Sequence, residues 1–117
     1  MTPLIIAALL LNIAVLIPVC FGLLSDAPWA IESYGAKTAA RDILLAVYFA
    51  IAVLSAVLLM VRDPKLIAAL LMVQVIYKFS TVVTVGLTHP VVSANLMIAV
   101  FHSMVLLVIW RTLGSSV

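Results

Sequence analysis

Lys78 is the residue in this chain best equipped for chemistry. It stands inside an apolar stretch, with Gln74 one turn before it and Thr81, Thr84 and Thr88 after it. At 100° per residue these side chains fall within an arc of about 120°, so one face of a helix would be polar from its middle to its end. A weaker copy follows, where Asn95, Ala99 and His102 recur at helical spacing. Tyr48, Ala52 and Ser55 make a third line, which Arg41 and Arg62 extend at its two ends, and Asn12 interrupts the first apolar stretch. An amine and an imidazole can exchange protons or donate hydrogen bonds to an anion. Metal ligation needs several converging ligands, and beyond His102 there are His89, next to a turn, and Cys20, near the end of its stretch. Haem would want more histidines within the apolar stretches, so no metal or other cofactor is assigned. Met60, Met72, Met97 and Met104 are scattered and read as packing. Tyr48, Lys78 and His102 could serve proton transfer on a lipid-like substrate. However, the chain has no nucleophile–base–acid set, phosphate loop or paired carboxylates, and the reading is of a non-enzyme.

These residues are carried on four long apolar stretches, residues 3–24, 43–61, 66–88 and 91–110. Of the 117 residues, 68% are apolar and 9% charged, against about half and a quarter in ordinary soluble domains. Such a surface suits lipid, not water. A helix needs about 20 residues to cross a hydrocarbon core of about 30 Å, and each stretch is long enough. None shows the alternation of a barrel strand. The expected fold is therefore all-α, an integral membrane four-helix bundle forming a single domain over residues 1–117. The first stretch reads as a span and not as a secretory leader, having no basic residue before it and no clean small-residue cleavage site after it. A net charge of +2 without a basic run excludes nucleic acid as a partner.

The connections supply the topology. Arg62-Asp63-Pro64-Lys65 joins the second and third spans, with Asp63 as a cap and Pro64 in the first turn. Thr88-His89-Pro90 is expected to do the same before the fourth. Loops this short make successive spans antiparallel. In the longer connection, Asp26 and Pro28 predict a brief interfacial helix, Gly35 its stop and Thr38 a cap for the second span. Trp29 and Tyr34 suit the headgroup level on one side and Trp110 the other. Arg62, Lys65 and Arg111 lie on the side of the termini, against Lys37 and Arg41 opposite, which favours both termini in the cytoplasm.

Counted inward from the span ends, Asn12, Lys78 and His102 come out near the midplane, with Gln74 a turn from Lys78. An isolated ammonium there costs about 2.5–3.5 kcal/mol on insertion scales. The four carboxylates, Asp26, Glu32, Asp42 and Asp63, all lie outside the depths of the spans. Lys78 is therefore neutral and hydrogen-bonded, or reached by water, or paired with an acid from a partner or ligand.

Four spans in little over a hundred residues resembles the small multidrug resistance transporters in size and outline. That family depends on a glutamate within its first span; here Asn12 is the polar residue of that span and Glu32 lies outside it, so its activity is not carried over. The outline is also similar to DoxX-like four-helix membrane proteins, without a specifying motif.

Two functions fit this pattern. The first is an accessory or assembly subunit, a homo-oligomer or part of a larger membrane complex, joined through the polar stripe. The second is a binding site or pathway within the membrane for a small anion, proton or lipid-like ligand. It would be lined by Asn12, Tyr48, Gln74, Lys78 and His102.

Overall fold

The computed structural model describes residues 3–86 and 88–115. Residues 1, 2, 87, 116 and 117, which the expected domain and third span include, lie outside the described residues. The chain is helical, with no strand among the described residues. In order, the helices are α1 (Pro3–Ser25), α2 (Pro28–Tyr34), α3 (Ala39–Val61), α4 (Pro64–Thr84) and α5 (Pro90–Ser115). All but α2 are long and apolar enough to cross a membrane, so this is a small membrane protein.

Local chemistry explains each boundary. Helix α1 stops where Asp26 enters the left-handed region at φ 55°, which Asp tolerates better than most residues, while Ala27 N–H donates back to Gly22 O. Pro28 then opens α2, and Gly35, at φ 90°, closes it with its N–H donating to Ile31 O. Thr38 Oγ1 accepts from Arg41 N–H at 3.2 Å, capping α3 as its sequence position predicts. Asp63 likewise caps α4, accepting from Lys65 N–H at 2.9 Å, with Pro64 in the first turn.

One boundary departs from expectation, and one that was expected is filled in. The third span was expected to reach Thr88, but α4 ends at Thr84 and is followed by Gly86 at φ 106°. Apolar residues after Thr84 carry the hydropathy pattern past the point where the backbone turns. Before α5 the Thr88-His89-Pro90 segment starts the helix as expected, with His89 as the cap: its Nδ1 accepts from Val91 N–H at 3.2 Å and Pro90 stands in the first turn.

The chain divides into two compact units: one of the start of α1 through Ala8 together with residues from Arg62 onward, the other Leu9–Val61. In the first, α4 and α5 pack against each other. Their buried positions follow helical spacing: Ile67, Leu71, Gln74 and Lys78 on α4, and Val92, Ala99, His102 and Ile109 on α5. In the second, α3 buries Arg41, Tyr48, Ser55 and Leu58 along one line.

Candidate functional site

Within the Leu9–Val61 unit, the buried polar side chains of α3 each make at least one contact, although Arg41 Nε itself has no hydrogen-bond partner among the described residues. Arg41 is 4% exposed, and its guanidinium fork reaches three acceptors in two other pieces of chain. Nη1 donates to Gly35 O at 2.9 Å, while Nη2 donates to Leu23 O at 3.3 Å and to Asp26 Oδ1 at 2.6 Å. It thus ties the end of α1 and the end of α2 to the start of α3. The planar fork explains why arginine does this and lysine would not. Two turns along, Tyr48 meets Tyr34 of α2 edge to face, with ring centroids 6.2 Å apart. Burial raises the pKa of the Tyr34 phenol above its usual value, an effect partly opposed by its hydrogen bond with Tyr48. A further two turns on, Ser55 Oγ accepts from Asn12 Nδ2 at 3.2 Å and donates to Ile51 O at 2.7 Å. This ladder reads as structure. Sequence reasoning placed Arg41 on the α3 line but missed its role, because the acceptors are mostly backbone carbonyls, which no side chain announces.

The other unit is different. Lys78 is 5% exposed and His102 is fully buried. Both His102 ring nitrogens lie without a hydrogen-bond partner among the described residues. Lys78 and His102 are carried on α4 and α5, which pack against each other within this unit. Lys78 Nζ is 5.8 Å from the centroid of the Tyr77 ring, within range of a cation–π contact. It enters no ion pair among the described residues, unlike Arg41, which pairs with Asp26, and Lys37, which pairs with Asp42. Gln74, one turn from Lys78 on the same face, is also buried. Because α4 ends at Thr84, Gln74 takes the middle of the helix, and Lys78 sits about 6 Å further toward its C-terminal end, not at the centre. His102 keeps its central depth in α5.

The expected polar stripe fades beyond Lys78. Thr81 is half-buried, and Thr84 and Thr88 are exposed. Their neighbours show how such groups tolerate lipid: Thr81 Oγ1 donates to Lys78 O, Ser80 Oγ to Ile76 O and Thr84 Oγ1 to Ser80 O. A hydroxyl that donates to a carbonyl of its own helix needs no partner elsewhere.

Of the residues singled out from the sequence, Gln74, Lys78 and His102 therefore belong to one compact unit, while Asn12 and Tyr48 lie in the other with partners of their own. No group of three or more metal-ligating side chains occurs among the described residues. Fold and site together define a small polytopic membrane protein with ionisable groups inside its spans. Comparison with protein-family models, with curated proteins and with solved structures finds no match in any of the three.

Proposed function

We propose that this membrane protein binds and passes a small anion or a proton within the hydrocarbon layer, at Gln74, Lys78 and His102. One observation carries the proposal. His102 is fully buried and neither ring nitrogen has a hydrogen-bond partner among the described residues, in a unit where Lys78 has no ion pair. Leaving a buried polar group unsatisfied costs about 1–3 kcal/mol, so such groups usually mark something the chain does not itself supply. The groups at hand are donors: an amine, an imidazole and an amide. All four carboxylates of the chain belong to the ends of helices or to loops. A site rich in donors and lacking acid suits an anion, and the two titratable groups suit a proton.

The assembly reading has less support. Gln74 and Lys78 are already buried in the single chain, and the hydroxyls of Ser80 and Thr84 are satisfied on α4 itself. A partner reaching the stripe from outside would find little that needs one.

Flux into proteoliposomes, followed with an anion-sensitive or pH-sensitive dye under an imposed gradient, tests the proposal. Wild-type protein is expected to raise the rate above that of empty vesicles. Lys78→Met and His102→Leu should abolish the increase, and Ser80→Ala should leave it unchanged. A wild-type rate equal to that of empty vesicles, or flux that survives both substitutions, would overturn it.

A further inference from the structure

Helices α1 and α3 enclose an open groove of about 690 Å³ within the Leu9–Val61 unit. Ile13, Ile17 and Phe21 form one wall, and Phe49, Val53 and Ala56 the other. Several of these are well exposed, Phe21 and Phe49 most of all, so the groove opens outward along helices that lie in lipid. Its floor is widened by Ala46 and Ala52, whose methyl groups leave the space that larger side chains would fill.

The groove is polar at one end. Asp42, in the first turn of α3, borders it at the level of Leu24 near the end of α1. Asp42 pairs with Lys37 at 3.5 Å, and both side chains are about half exposed. That separation exceeds the roughly 2.7–2.9 Å of a tight charge-assisted hydrogen bond, so the two charges stand side by side, loosely held. The nearby Arg41 and Asp26 are committed to each other. The mouth of the groove thus offers one cation and one anion.

Length decides what lies in it. From Leu24 to Ile13 along α1 is about 16 Å, and from Asp42 to Ala56 along α3 about 21 Å. One leaflet of the hydrocarbon core is about 15 Å deep. Along α1 the groove stops near the middle of the helix and along α3 it ends at Ala56, short of Val61, so it is shorter than the spans that a helix from a second copy would follow. It has the reach of one hydrocarbon chain.

We infer that the groove holds one acyl chain of a zwitterionic aminophospholipid, with the headgroup phosphate on Lys37 and the primary ammonium on Asp42. A headgroup with phosphate alone would face the Asp42 carboxylate unbalanced. A quaternary ammonium would bring charge without an N–H to donate. A primary ammonium satisfies both the carboxylate's charge and its acceptor oxygens. The site shares no residue with the Lys78–His102 locus, so each proposal stands or falls alone.

Native mass spectrometry tests this directly, with protein released from nanodiscs made of equal parts phosphatidylethanolamine, phosphatidylcholine and phosphatidylglycerol with identical acyl chains. Wild-type protein should retain one lipid, with phosphatidylethanolamine preferred by about tenfold, the order of effect of one charge-assisted hydrogen bond. Ala46→Phe and Ala56→Phe add apolar bulk at exposed positions in the groove and should lose the retained lipid. Asp42→Asn should keep lipid binding but lose the preference for phosphatidylethanolamine over phosphatidylcholine. Equal retention of the three lipids by wild-type protein, or unchanged retention in both phenylalanine variants, would overturn the inference. So would a lipid-free dimer, which would place a second copy in the groove.

Discussion

Replacing Arg41 by Met should destabilise the protein more than any other single change at the polar ends of the helices. The stem is kept and the fork removed, so the loss measures the hydrogen bonds. Two of these run to the carbonyls of Leu23 and Gly35, and the third to Asp26. Hydrogen bonds to charged groups contribute about 1.5–3 kcal/mol each, and breaking a fully buried pair costs about 3–5 kcal/mol. The Asp26 side chain is 48% exposed and regains water when Arg41 is gone, so that part is discounted for solvent screening. The net expectation is a loss of about 2–4 kcal/mol, most of it from the two carbonyls. Asp26→Asn should therefore cost less, about 1 kcal/mol, because the fork keeps its backbone acceptors. Arg41→Lys should fall between, since a single ammonium cannot reach three acceptors set in different directions. Reversible unfolding in mixed micelles, followed by circular dichroism, gives all three values. If Arg41→Met lies within about 0.5 kcal/mol of wild type, or Asp26→Asn costs as much, the guanidinium does not tie these segments together.

Two further outcomes follow from α2 and its surroundings. A Cβ added at Gly22 would overlap the indole of Trp29, so Gly22→Ala should lift the ring off α1, costing about 1–3 kcal/mol and shifting Trp29 fluorescence in a Trp110→Phe background. Unshifted emission with unchanged stability would contradict that packing. Because burial raises the pKa of Tyr34 in the folded state, its contribution to stability is complete below the ordinary tyrosine value near 10 and lost as pH rises through the folded value. Wild-type protein should thus lose more stability above about pH 10 than Tyr34→Phe does, and parallel profiles would refute this.

Much of the fold is legible in the sequence because membrane constraints are strong. Backbone groups in lipid must be satisfied within the helix, so apolar length alone locates the spans. Thr38, Asp63 and Gly35 terminate helices by local chemistry that their residue types declare. The candidate site is less legible. Periodicity finds Gln74, Lys78 and His102 as inward-facing, and all three are buried. It overstates the stripe beyond them, because threonine reads as polar by type yet spends its hydroxyl on its own helix. Hydropathy also runs past the end of α4, since Val85 is apolar whether or not it is helical, which moved the expected depth of Lys78. The Arg41 tether escaped for a different reason: two of its three acceptors are main-chain oxygens, and those carry no sequence signal. The α1–α3 groove arises where small and large apolar side chains meet across two helices, a pairing that one-dimensional pattern does not encode.

On the proposed function, Lys78 and His102 are held inside the protein for a ligand and not for the fold. The most direct measurement is the unfolding free energy of His102→Leu in micelles, beside the flux of the same variant. An imidazole whose nitrogens have no hydrogen-bond partner among the described residues is a burden on the folded state, so an apolar side chain of similar volume should raise stability by about 1 kcal/mol or more while flux is lost. A fall in stability of similar size would show that the ring nitrogens are satisfied by the protein itself, and the claim would be contradicted.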